Sequence, residues 1–230
     1  MSLVLTRVLN EYRRKGWHVN TRPDELNILG LRSPTRKGGK FDDEIHVFWQ
    51  NATKKWHYFV CPATTDPSDF YLEHPYNGKY TSILAEGQYR GAYQKGLHRG
   101  KTPALVQRGP VKIYTDYDRN GTFDAVPGKE KTGLFGINIH PSFALDGSSN
   151  VVGKASAGCQ VPQRDTDMAA ILRLADRHIA LYGNQLDYSL LDYRIIRARR
   201  RLHWLAAGAA ALATAAAALR PEWILGDHHH

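Results

Sequence analysis

Residues 45–60 read IHVFWQNATKKWHYFV. Two short runs, IHVFWQ and WHYFV, are rich in β-branched and aromatic residues, which favour strands. The pattern continues on both sides. Between Leu26 and Tyr117 the runs YTSIL, ALVQ and VKIYT alternate with turn-forming clusters, RKGG, PATTDPSD, HPYNG and RGP. This alternation predicts an antiparallel, sheet-rich body. The expected fold class is mainly β (α+β).

Helices are expected at three places. Leu5, Val8, Leu9 and Tyr12 recur at helical spacing before Gly16. Asp165–Tyr182 carries one apolar face, Met168, Ile171, Leu172, Ala175 and Ile179, with Asp165 as the expected N-cap. Gly183-Asn184 ends it, and LDYSLLDY follows as a last strand. Arg194–Leu219 is Ala-rich and reads as a helix. The resulting organisation is an N-terminal helix (1–19), a β-rich body (20–193), a basic Ala-rich tail (194–227) and a tag remnant, HHH (228–230).

The 230-residue chain is 42% hydrophobic and 23% charged, a globular composition. Net charge is +9, which attracts polyanions. Much of the excess is local, because five of the eight residues 194–201 are Arg. Basic residues with aromatic interleaving, as nucleic-acid binding requires, are not found in the body, so nucleic acid is not an expected partner. The tail pairs this Arg run with Trp204–Leu219, which holds no charge. It is short of the roughly 20 residues a spanning helix needs. It reads either as a packing helix or as a segment that disturbs an anionic membrane or lipopolysaccharide. The first twenty residues show no cleaved signal. Synthesis in a cytoplasm is therefore expected, with any action at a cell wall or periplasm following release.

There are two cysteines, Cys61 and Cys159, too few for a disulfide framework. Cys159 lies in SAGCQV, and His140 ends GLFGINIH nineteen residues earlier. A thiol nucleophile needs a base, backbone N–H groups at the developing oxyanion, and access. Ala157 and Gly158 leave the backbone around Cys159 approachable. The amides of Gly158 and Cys159 are the expected oxyanion donors. GLFGINIH reads as a strand ending at a sheet edge, which would present His140 there.

This arrangement resembles the L,D-transpeptidase (YkuD-type) catalytic domain. That family's signature is a His, about fifteen residues, then Ser/Thr-His-Gly-Cys. Here fifteen residues separate His140 from Ser156, Ala157, Gly158 and Cys159. More weakly, GKYTSILAEGQY is similar to the family's Thr-Pro-x-Gly-x-Phe/Tyr segment. The resemblance implies a β-rich fold, Cys159 as nucleophile, His140 as base, and an acyl group of a peptidoglycan stem peptide as substrate. Two positions depart from the pattern. Ala157 stands where the family has a second His, and Gln160-Val161 replaces the usual apolar-Arg pair. Ser156, Ala157, Gly158, His98 and Gln160 are expected around the oxyanion and substrate. The phrases GINIH and SAGCQV, with KFDD and ATTDP upstream, look like a divergent branch found in bacterial and phage proteins, some of them cell-wall lysins. A lytic, endolysin-like hydrolase is the expectation, with cross-linking or exchange, or a non-catalytic wall-binding module, as alternatives.

The thiol reading calls for no cofactor. Two metal readings compete with it. NIHPSFALD partly fits a zinc D,D-peptidase signature through His140, Ala144 and Asp146, while Asn138 and Phe143 do not match. The third ligand would be a downstream His beside a Trp or in His-x-His, but His178 has no such neighbour and His203-Trp204 lies in the basic tail. Asp116, Asp118, Asn120 and Asp124 follow calcium-loop spacing, but Pro127 stands where a bidentate Glu belongs. His98, in GLHRGKTPALVQ, sits among Lys95, Arg99 and Lys101; it could line the substrate cleft, but a surface-loop residue is the favoured reading.

Overall fold

The computed structural model describes residues 3–35, 38–123, 129–143 and 150–192. These belong to one compact unit, Met1–Tyr193. The expectations for the Ala-rich tail, for Asp124, and for Ala144 and Asp146 fall outside the described residues.

The molecule is mainly β. Helix α1 (Leu3–Lys15) buries Leu5, Val8 and Tyr12 along one face. Gly16 ends it at φ 66°, where a side chain would be strained. There the amides of Gly16 and Trp17 turn back to the carbonyls of Arg13 and Tyr12, closing the last helical turn. Tyr12 meets Phe48 edge to face at 5.9 Å, which seats the helix on the sheet. The helix is therefore part of the sheet's core and lies in the same compact unit.

The opening stretch folds as read. Strands β2 (Asp43–Gln50) and β3 (Trp56–Thr64) pair antiparallel around a turn in which Asn51 Oδ1 accepts from the amides of Thr53 and Lys55. Ile45, Val47 and Trp49 alternate into the main core, and Phe48 faces α1. With β1 (Asn27–Arg32), β5 (Gly87–His98), β6 (Thr102–Gln107), β9 (Val161–Pro162) and β10 (Leu186–Asp192) they form a seven-stranded sheet ordered β6-β5-β10-β1-β2-β3-β9. A second sheet, β4-β7-β8, comprises Thr81–Leu84, Val111–Asp116 and Lys131–Gly133. The short helix α2 (Asp69–Glu73) and the 18-residue α3 (Asp165–Tyr182) complete the unit.

Three findings correct the sequence reading. The large sheet is mixed, because β1 and β10 run parallel. Asp165 is the first residue of α3 and Arg164 its N-cap; the Asp165 carboxylate accepts instead from the Phe143 amide and lies 3.3 Å from the Ser142 hydroxyl. GLFGINIH is not a regular strand. Gly133 closes β8, and beyond it only Ile139 pairs, on both sides: antiparallel with Leu105 of β6 and parallel with Gln160, the residue before β9. Ile139 thus joins the two ends of the sheet, which curls and closes on itself. The seam rests on four backbone bonds: Leu105 N to Ile139 O, Ile139 N to Leu105 O, His140 N to Gln160 O, and Gln160 N to Asn138 O.

Candidate active site

The seam sets the geometry of the site. Side chains alternate across an extended segment. Ile139 and Gln160 turn inward and are wholly buried, so Asn138, His140 and Cys159 fall on the other face. His98 ends β5, opposite Thr102 across the hairpin to β6. One ring nitrogen of His98, one of His140 and the Cys159 sulfur all lie within 4.8 Å of one another. The two imidazoles stack, with centroids 4.1 Å apart and planes 26° from parallel. His98 is therefore a pocket residue, not a surface-loop residue; it is 8% exposed.

The cleft above them has a volume of about 350 Å³, within the range of small-ligand sites. Cys159, Asn138, Phe135 and Ala157 line it, and Tyr76, Tyr80 and Arg99 form part of its wall. Cys159 is only half-buried, the accessible member of the trio. The Arg99 guanidinium lies 5.3 Å over the ring of Tyr76, and the Lys131 ammonium 4.6 Å over that of Tyr80. No described carboxylate lies within ion-pair distance of Arg99. The mouth is thus aromatic and cationic.

His140 is 2% exposed, and its Nδ1 lies 2.9 Å from Pro141 O. A carbonyl only accepts, so Nδ1 carries the proton and Nε2 keeps its lone pair. Burial lowers the His140 pKa to about 4, with the neighbouring His98 adding to the effect. Burial raises the Cys159 thiol to about 11, against the opposing pull of the Asn138 backbone and Arg99. At neutral pH the pair is a thiol and a neutral imidazole. That arrangement suits proton transfer during attack, without a standing ion pair. Phe143 packs at 5.6 Å against the His140 ring from a left-handed backbone, φ 64°. Such a conformation is costly for a bulky residue.

The loop before Cys159 is clamped from beneath. Ser156 Oγ accepts from the Gly158 amide at 3.2 Å and lies 2.9 Å from Asp66 O and 2.8 Å from Cys159 O. The Ser68 amide donates to Ser156 O. Gln160 Nε2 reaches Gly158 O and Thr65 O, while its Oε1 accepts from Tyr188 OH at 2.7 Å. Ser156 and Gln160 are wholly buried. They hold the loop and are not among the residues that line the cleft, whereas the sequence reading expected them around the oxyanion and substrate. The Gly158 amide is spent on Ser156, so it too is not an available oxyanion donor. Gly158 itself is obligatory: its φ is 122°, and a Cβ there would fall 2.2 Å from Ser82 O. The Cys159 amide has no hydrogen-bond partner among the described residues.

Beneath the clamp, the KFDD and ATTDP phrases meet at Arg32. This fully buried guanidinium donates to Asp66 (2.8 Å), Thr65 O (2.6 Å) and Leu84 O (2.8 Å) and approaches Asp192 (3.4 Å). Asp43 accepts from the Ser33 and Thr65 amides. Burial, reinforced by Asp66, raises the Asp43 pKa to about 7. Removing Arg32 would strand buried carboxylates at a cost of about 3–5 kcal/mol.

The other expected residues do not join the site. His178 accepts from the Leu26 amide at Nδ1 and faces Gln185 O at Nε2, so both nitrogens are used. Cys61 is buried and free, its thiol on Ile45 O. Asp118 and Asn120 accept from backbone amides two residues on, as does Asp116. Sequence reasoning missed Asn138 and Gln107, whose roles depend on contacts between distant segments. No protein-family model matches the chain, and no curated protein matches it.

Proposed function

We propose that the seam pocket carries out cysteine-dependent acyl transfer on peptidoglycan stem peptides, with hydrolysis as its outcome. One observation carries this reading: the His140 imidazole, its Nδ1–H spent on Pro141 O, lies beside the half-buried Cys159 sulfur at a small-molecule cleft. The aromatic, cationic mouth adds support, since stem peptides bring carboxylates to it.

Cys159 Sγ attacks the carbonyl carbon as its proton passes to His140 Nε2. The tetrahedral intermediate collapses, the C–N bond breaks, and the same proton leaves with the departing amine. Water then attacks the thioester and gives a proton to His140. The S–C bond breaks, the carboxylic acid departs, and the sulfur regains its proton. An amine in place of water would give exchange or cross-linking. The Arg-rich, Ala-rich tail fits delivery of such an enzyme to an anionic membrane or lipopolysaccharide, in the manner of an endolysin.

The test is digestion of purified peptidoglycan by wild type and by Cys159→Ala, with products identified by mass spectrometry. Free stem peptides or exchanged termini are expected, and absent in the variant. Equal release by both proteins would overturn the thiol mechanism. No release by either would favour a wall-binding module.

A further inference from the structure

We infer that His98 is a second catalytic imidazole, held by Asn138 as an Nε2–H donor to the oxyanion that forms when Cys159 attacks. This rests on the acyl-transfer reading for its catalytic half; the tautomer assignment stands on geometry alone.

The assignment follows from one backbone amide. Gln107 N–H donates to Asn138 Oδ1 at 2.9 Å. A backbone N–H can only donate, so the Asn138 amide group has one permitted orientation. Its Nδ2 therefore points at His98 Nδ1, 2.9 Å away, and donates to it. His98 Nδ1 holds a lone pair, and its proton is on Nε2. His140 is the reverse, with the proton on Nδ1 and the lone pair on Nε2. The stacked rings are thus two neutral imidazoles in opposite tautomers, one a base and one a donor.

The site has need of that donor. An oxyanion is best met by two N–H groups. The Cys159 amide is available, but the Gly158 amide is committed to Ser156 Oγ. His98 supplies the missing group from β5. It also places an imidazole beside the thiol where Ala157 provides none. In the attack, the S–C bond forms, the carbonyl π pair becomes the oxyanion, and the thiol proton goes to His140. His98 keeps its proton throughout.

The same tautomer opposes metal capture. Two imidazoles and a thiol are a donor set that zinc accepts. A ring that receives a hydrogen bond at Nδ1 must give up its Nε2 proton, becoming imidazolate, to ligate there. Asn138 is therefore a positioning residue that separates a donor site from a zinc site.

Three measurements test this. Nitrogen-15 NMR of the wild-type imidazoles should show His98 protonated at Nε2 and His140 at Nδ1; the opposite state at His98 overturns the assignment. His98→Leu should lower kcat on peptidoglycan about 10²–10³-fold with little change in KM. His98→Gln, which returns an N–H near Nε2, should recover part of the loss. An unchanged kcat in His98→Leu overturns the catalytic role, as does a wild type that releases no peptide. Asn138→Asp is isosteric and still accepts from Gln107, but takes the Nδ1 proton side of His98. It should lose kcat as His98→Leu does and bind Zn²⁺ at least tenfold more tightly by calorimetry. Unchanged Zn²⁺ affinity would overturn the tautomer argument without reference to any substrate.

Discussion

Among the described residues, two clefts that contain a buried histidine are built in opposite ways. The second, of about 310 Å³, lies between α3 and the β5–β10 pair, with His178 in its wall. Its charges are matched: Arg22 bonds Glu25 at 2.6 Å, and Arg90 faces Asp187 at 3.5 Å. His178 uses both nitrogens on backbone groups. At the seam, His140 uses one nitrogen on backbone, Arg99 faces a ring instead of a carboxylate, and the nearby Cys159 is partly accessible. Burial of a histidine is common to both. What differs is the hydrogen-bonding capacity left over, and that remainder is what chemistry can use.

The largest contrast lies between the two cysteines. Cys159→Ala should lower peptide release by at least about 10³-fold. Cys61→Ala should leave activity intact and cost about 1 kcal/mol of stability in chemical denaturation. Equal effects on activity would break the comparison. Next, His140→Ala should lower kcat/KM about 10²–10⁴-fold. His178→Ala should spare kcat and destabilise by roughly 1–3 kcal/mol, since the Leu26 amide and Gln185 carbonyl lose their partner.

Gly158→Ala tests whether the clamp defines the site. Strained backbone alone costs about 1–3 kcal/mol, and the collision with Ser82 O adds to it. Stability and activity should fall together.

The pH profile sharpens the comparison further. His140 is active as the neutral base, and its pKa is lowered to about 4. The acid limb of kcat/KM should therefore lie near pH 4, well below the value of about 6.5 for a solvated histidine. With the thiol raised to about 11, iodoacetamide should modify native Cys159 slowly at pH 7 and faster as pH rises. Slow alkylation is thus compatible with catalysis here. A limb near 6.5 would mean that the pocket is wetter than its geometry implies.

The smallest effect concerns Asp43. Its folded pKa is raised to about 7, so the folded state holds a proton that the unfolded chain loses near pH 4. Its contribution is full below about 4 and is lost as pH rises toward 7. Asp43→Asn should flatten that part of the stability profile.

Much of the body was legible because Val, Ile and aromatic residues mark β2, β3, β4, β6 and β7, and because the apolar face of α3 repeats at helical spacing. Strand β5, GQYRGAYQKGLH, was obscured by its glycines. They are there for packing and turns: a Cβ at Gly96 would press on Val106 at 2.9 Å, and Gly91 sits at φ 61°. Losing β5 as a strand also loosened the reading of His98. The parallel β1–β10 pairing joins segments about 160 residues apart, for example Ile28 with Tyr188, and no local pattern announces it. His140 and Cys159 stood out by residue type and setting. Asn138 did not, because its role is assigned by a backbone amide at residue 107.

The single-residue bridges at Ile139 bear on how kindred sites could be recognised. Imidazole and thiol are adjacent because residues 138–140 lie in register with residue 160, whatever chain connects them. The intervening length is then free to drift by insertion or deletion without moving either reactive atom. A search keyed to the interval between His and Cys would discard such cousins. One keyed to the register of the closing pair, with an inward Gln and a Gly immediately before the Cys, would retain them.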